Sequence, residues 1–219
     1  MGSLCKEMTD ITLVLTSCGR FDLLDRTLES IGSPILNSLS DKIIIDDSGR
    51  EDSRRYFDKY GDDWKIILND KNIGQPKSVD KAYSQVTTPY VFHCEDDWFF
   101  ENFTSLESCV DILESDESIL QVTFRKDSPH PESPQIFKSN KGFSYRKVVE
   151  GWRGTWWGFT YNPSLFRMSA YKEIGSYSGT NEQTISKRYH ELGYKTACLS
   201  DKHYYHIGAG RSTNSHLKL

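Results

Sequence analysis

The chain reads as one α/β domain whose central sheet is mainly parallel and covered by helices on both faces. Three observations predict this. Short apolar, β-branched runs recur through the first half, amphipathic segments of roughly ten residues separate them, and no repeat or interdomain linker interrupts the 219 residues. Strands buried on both faces carry continuous apolar runs rather than alternating ones, and that is the pattern here.

Ile11-Thr12-Leu13-Val14-Leu15-Thr16 is the first such run, and Ser17-Cys18-Gly19-Arg20 breaks it. Phe21, Leu24, Leu28 and Ile31 follow at helical spacing until Gly32-Ser33-Pro34 stops the helix. Lys42 to Ile45 predicts a second strand, ending in Asp46-Asp47-Ser48-Gly49. A polar helix through Tyr56, Phe57 and Tyr60 leads to a third strand, Lys65 to Leu68. Asn72-Ile73-Gly74 is a turn, and Val79, Ala82, Tyr83 and Val86 mark the next amphipathic helix. Tyr90 to Cys94 is the fourth strand, and it runs straight into Glu95-Asp96-Asp97. Ligands of parallel α/β sheets collect beyond the carboxyl ends of the strands. That rule gathers Thr16 to Arg20, Asp46 to Gly49, Asn72 to Gly74 and Glu95 to Asp97 on one rim.

The second half is less regular. Phe103, Leu106, Val110 and Leu113 predict a helix, and Ile119 to Phe124 a strand. Residues 126–142 hold three prolines and read as a mobile surface loop. Gly151 to Phe159 is glycine-rich and carries Trp152, Trp156 and Trp157. Asn181 opens a helix with Ile185, Tyr189 and Leu192 on one face, and Gly193 ends it. Lys195 to Leu199 predicts a strand, and Tyr204 to Thr213 a last short strand dissolving into a flexible basic loop. Residues 1–9 are an N-terminal lead. Residues 10–219 form the one domain, 10–100 its regular half and 101–219 its less regular half, with room for further domains of a longer polypeptide beyond.

Composition narrows the function. The net charge of -4, with no long basic run, argues against a nucleic-acid partner. The apolar runs are too short for a transmembrane segment, and no secretory signal is visible. Five cysteines without a CxxC pair fit reduced thiols in a cytoplasmic setting.

Three consecutive carboxylates repel one another. On a solvated loop water compensates them; at the tip of a buried strand a divalent cation is the usual solution. Both readings stand for Glu95-Asp96-Asp97, but apolar Tyr90 to Cys94 before it and Trp98-Phe99-Phe100 after it favour the second.

Taken in order, these motifs resemble the nucleotide-sugar-dependent glycosyltransferases of the GT-A fold, especially their large inverting group. The likeness spans about residues 10–213. Glu95-Asp96-Asp97 stands where that family has its DxD motif, and Asn181-Glu182 where the acceptor-side helix usually begins Glu-Asp. Tyr204 to Thr213 is also similar to glycosyltransferase domains with which large algal viruses build capsid glycans. The resemblance implies a single GT-A, Rossmann-like domain with a small second sheet on the acceptor side. It implies transfer of a hexose or deoxyhexose from a UDP-sugar to a glycan acceptor, aided by Mn2+ or Mg2+.

By the same resemblance Asp97 is the principal metal ligand and His206 an additional one, with Glu95 and Asp96 facing ribose and sugar hydroxyls or a metal-bound water. Asp46 falls where the family bonds the uracil N3–H, a donor that an acceptor-only carboxylate satisfies. Asp47 is able to exchange roles with it, and a loop-capping role is the competing reading. Thr16 and Arg20 border the base; Asn72 and Lys77 lie near the phosphates. Arg211, Ser212 and Thr213 fold over the pyrophosphate, a guanidinium matching its oxygens in a fork. Glu182 is the general base, one methylene longer than the family's aspartate. Trp152, Trp156 and Trp157 form the acceptor wall. Two other functions compete: a sugar nucleotidyltransferase, whose lysine-bearing glycine-rich loop Ser17 to Arg20 is too short to supply, and a non-catalytic carbohydrate-binding module built on the tryptophans.

Overall fold

The computed structural model describes residues 9–211. A nine-stranded sheet forms the centre, and its first four strands are parallel neighbours. β1 (Thr9–Ser17) lies between β2 (Leu39–Asp46) and β4 (Tyr90–Glu95), with β3 (Lys65–Leu68) outside β2. The alternation of a strand sorts β1 into two cores. Leu13 and Leu15 face one cluster with Leu24, Phe92 and Phe124, whereas Val14 faces another with Ile43, Ile45, Val79 and Tyr83. Full burial of each such side chain contributes about 1.5–3 kcal/mol.

α1 (Phe21–Ile31) covers one face with Leu23, Leu24, Thr27, Leu28 and Ile31 buried. α2 (Ser33–Leu36) and α3 (Ser53–Phe57) are short. α4 (Gln75–Tyr83) covers the other face through Val79, Ala82 and Tyr83. After β5 (Trp98–Phe100) come α5 (Glu107–Ser115) and β6 (Ile119–Thr123).

Beyond β6 the sheet turns mixed. The segment expected to be a mobile loop instead contains β7 (Phe137–Lys138), paired antiparallel with β8 (Ser144–Lys147). β9 (Ser164–Arg167) then inserts antiparallel between β4 and β6. β8 runs away from the rim, and residues 148–163 bring the chain back to it without a helix, so β9 starts there and runs opposite to β4 and β6. α6 (Met168–Ile174), α7 (Glu182–Glu191) and β10 (Lys195–Leu199) follow, β10 pairing parallel with β6. The parallel character expected of the whole sheet therefore belongs to its first half and to the β6–β10 pair.

β11 (Tyr204–His206) joins β5 in a separate two-stranded sheet, placing His206 opposite Trp98. This small sheet brings the C-terminal segment to the acidic turn. Cys18, Cys94, Cys109 and Cys198 are outside any disulfide, in keeping with reduced thiols. No helix among the described residues is long and apolar enough to cross a membrane.

Candidate active site

The acidic residues sit on a tight turn between β4 and β5, and α1 clamps its backbone. Thr27 Oγ1 donates to the Asp96 carbonyl at 2.9 Å and accepts from the Trp98 N–H at 3.1 Å. Asp96 and Asp97 are buried. Arg20, immediately before α1, compensates both: its Nη2 donates to Asp96 Oδ1 and its Nη1 to Asp97 Oδ2 at 2.6 Å. Ser17 Oγ (3.1 Å) and the Cys18 N–H (3.3 Å) donate to the other Asp96 oxygen. Burial pushes the Asp96 carboxyl up to about 6, and Arg20 acts in the opposite direction. Glu95 turns away from this pair, accepting from Gln75 Nε2 at 2.8 Å and Trp98 Nε1 at 3.2 Å. Burial, with the charges of Asp97 and Glu182, raises its pKa.

His206 meets the same turn from β11. Its Nε2 lies 3.1 Å from Asp97 Oδ2, and the Ile207 N–H donates to the Asp97 carbonyl at 2.9 Å. Gly208 follows because nothing larger fits: a Cβ there would lie 2.6 Å from Asp97 Cβ. One carboxylate and one imidazole suit a hard or borderline divalent ion whose remaining positions are filled by diphosphate oxygens and water. No set of three His, Cys, Asp or Glu side chains among the described residues forms a complete cage.

Asp46 and Asp47, expected to offer a carboxylate to a base, already hold their loop. Asp46 accepts from the Gly19 N–H (2.9 Å), Ser48 Oγ (2.5 Å) and Ser53 Oγ (2.8 Å). Asp47 accepts from Asn69 Nδ2 (2.8 Å) and from the Ile73 and Gly74 N–H groups (2.9 Å each). Three bonds leave each carboxylate about one acceptor position for a ligand. Gly49, at φ 65°, lets this loop press on the next: a Cβ would meet Lys71 Cα at 2.7 Å. Asn72 is exposed, with its Nδ2 3.4 Å from Cys18 Sγ. Thr16, next to last in β1, pairs with Ile45 and Glu95, and Lys77 is exposed on α4.

Glu182 opens α7 behind the N-cap Asn181, whose side chain accepts from the Thr184 N–H at 2.9 Å. Its carboxylate accepts from the Tyr161 N–H at 3.4 Å and from the Thr160 hydroxyl. Burial pushes it up to about 7. Its charge is among those that raise Glu95, so the two carboxylates interact through the intervening space.

The three tryptophans do not form one wall. Trp156 is buried and stacks on His130 with centroids 3.6 Å apart, and Trp152 meets the same imidazole edge-on at 5.1 Å. Trp157 instead stacks on His190 of α7 at 4.5 Å. His130, Trp156 and Thr160 line a crevice of about 10 Å³, room for roughly one water. Arg211 pairs in a fork with Asp22 (2.7 and 2.9 Å) rather than reaching the acidic turn with its guanidinium. Ser212 and Thr213 lie outside the described residues.

Four contributors escaped the sequence reading: Gln75 and Trp98 as partners of Glu95, Thr160 as partner of Glu182, and His130 beneath Trp156. Only Gln75 carried a hint, following Asn72-Ile73-Gly74 on the ligand-binding rim.

The sheet, the acidic turn and the carboxylate of α7 together define a GT-A type of α/β protein. The family model for glycosyl transferase family 2 matches residues 12–175, and the chain belongs to that family. Among solved structures it is similar to residues 1–349 of S. aureus TarS, with a TM-score of 0.64 and 13% identity over 90% of this chain and 60% of that one. The same protein in complex with UDP-GlcNAc gives a TM-score of 0.61 and 12% identity over 92% and 61% of the two chains. A mannosyltransferase from Pyrobaculum calidifontis, in complex with GDP-Man and Mn2+, gives 0.58 and 14% over 85% and 53%. The chain thus spans about three-fifths of the TarS structure. No curated protein matches the sequence.

Proposed function

We propose that this glycosyltransferase moves a hexose or deoxyhexose from a UDP-sugar to a hydroxyl of a glycan acceptor, with inversion and with help from a divalent cation. The observation that carries this reading is the convergence of Arg20, Asp97 and His206 at the tip of β4, with the Glu182 carboxyl close enough for its charge to raise Glu95. A base on one side and a diphosphate-binding corner on the other leave the anomeric carbon between them.

Glu182 takes the proton of the acceptor hydroxyl as that oxygen bonds to the anomeric carbon. The bond from that carbon to the diphosphate oxygen breaks with its electron pair leaving on the nucleotide. A carboxyl held near 7 is partly ionised at neutral pH and so accepts a proton at the working pH. Asp97 and His206 would hold Mn2+ or Mg2+, which as a Lewis acid offsets the charge arriving on the leaving diphosphate. Thr16 and the Asp46–Asp47 loop border the base, Asp46 with its remaining acceptor position toward the uracil N3–H. Arg211, released from Asp22, has the reach and fork geometry for a phosphate. Trp152, half-buried, is left to meet the acceptor sugar, since Trp156 is buried against His130.

UDP release measured over a panel of UDP-sugars, with a mixed glycan acceptor and with Mn2+ or EDTA, tests this. Turnover of at least one donor with Mn2+, lost in EDTA and in Asp97→Asn, is expected. Equal turnover with EDTA, or an unimpaired Asp97→Asn protein, overturns it.

A further inference from the structure

Arg20 Nη1 and His206 Nε2 converge on the same atom, Asp97 Oδ2, at 2.6 and 3.1 Å. The guanidinium also spans to Asp96, and its side chain is only 14% exposed, so it fills the corner rather than bordering it. A third contact, from Nη1 to the Arg211 carbonyl at 3.3 Å, closes the C-terminal segment over it. Its Nε is buried and has no partner. One positive group therefore sits where the reading above requires a cation, and it retains a donor that none of the described residues satisfies.

We infer that Arg20 is a placeholder cation: it keeps bare divalent metal off Asp97 and His206, and yields them only when a nucleoside diphosphate gives its guanidinium a new partner. This rests on the proposed metal-assisted transfer and adds an order of events to it. Two positive charges cannot share Asp97 Oδ2, so metal and guanidinium compete. Diphosphate oxygens resolve the competition, because they accept from Nε and Nη in a fork while contributing ligands to the ion. Metal and nucleotide then bind each other's complex more tightly than either binds the protein alone. By linkage the enhancement is the same in both directions. An ordinary bordering arginine predicts no such exchange.

Mn2+ binding is followed by the electron paramagnetic resonance signal of the free ion, using the full chain with and without UDP. Wild type is expected to bind Mn2+ alone weakly and at least about tenfold more tightly with UDP, a coupling of ordinary allosteric size. Arg20→Met is expected to bind Mn2+ alone at least about tenfold more tightly than wild type, with the UDP enhancement shrunken. Because Arg20→Met leaves two buried carboxylates without their partner, Arg20→Lys runs beside it. A point charge cannot fork across both carboxylates, so it shifts affinity in the same direction by less. If folded Arg20 variants bind Mn2+ no more tightly than wild type while UDP still promotes binding in wild type, the placeholder role is wrong and the metal site stands. If no protein binds Mn2+ even with UDP, the metal-assisted reading fails and takes this inference with it.

Discussion

His206 Nε2 lies 3.1 Å from Asp97 Oδ2 although 109 residues separate them in the chain. The pairing of β5 with β11 makes that contact, setting His206 across from Trp98 and letting the Ile207 N–H hold the Asp97 carbonyl. A carboxylate and an imidazole from distant parts of the chain are thereby brought to one corner.

If both residues hold the cation, His206→Ala raises the Mn2+ concentration needed for half-maximal activity by about 10–100-fold, the scale of a damaged metal environment. The protein remains folded, since the ring is half-buried and its main packing partner is Trp98. Activity titrated against Mn2+ checks this, and an unchanged midpoint contradicts it.

If Glu182 is the base, Glu182→Gln removes it while leaving the N-cap of α7 to Asn181. Turnover falls about 10²–10⁴-fold, with the circular dichroism spectrum unchanged. In wild type the base works ionised, so the rate rises with pH through about 7. Stability runs the other way. The folded carboxyl holds its proton up to about 7 against an ordinary 4.5, so this group favours the fold at low pH and that contribution is lost as pH rises through the window. Glu182→Gln flattens this part of the stability profile.

Gly208→Ala places a methyl against the Asp97 side chain. Overpacking of this kind costs about 1–3 kcal/mol. Here it also pushes the principal ligand out of position, so UDP–Mn2+ affinity falls together with the melting temperature. A variant that melts lower but binds as wild type separates packing from function and contradicts the placement of Asp97.

Asp80 ties α4 to the segment between α6 and α7. Its carboxylate accepts from Tyr171 Oη, Ser176 Oγ, Ser178 Oγ and the Tyr177 and Ser178 N–H groups, at 2.6–2.9 Å. Asp80→Ala costs about 1–3 kcal/mol in denaturant unfolding. Because that segment leads directly into Glu182, activity falls more steeply with temperature than in wild type.

β1, β2 and β4 were readable because each is buried on both faces and so carries an apolar run such as Ile43-Ile44-Ile45, and the half-buried edge strand β3 still shows one in Ile66-Ile67-Leu68. α7 was readable from Asn181 and Gly193 at its ends. β9 and β8 were not, since Ser164–Arg167 and Ser144–Lys147 mix polar and apolar residues over four positions and carry no apolar run. β5 was hidden because its aromatics read as a continuation of the acidic motif. At the site, residue types were visible but their pairings were not. Nothing local says that Arg20 pairs with Asp96 and Asp97, 76 and 77 positions away, or that Asp46 and Asp47 are engaged by their own loops. The tryptophans showed an aromatic surface, yet its division between His130 and His190 depends on the path of the loop that carries them.

The most direct measurement is anomalous diffraction at the manganese edge from crystals grown with UDP and Mn2+. A single peak within coordination distance of both Asp97 and His206, beside the diphosphate and facing Glu182, is the expected result. UDP bound with no manganese at that corner, and with Arg20 still seated on both aspartates, would contradict it.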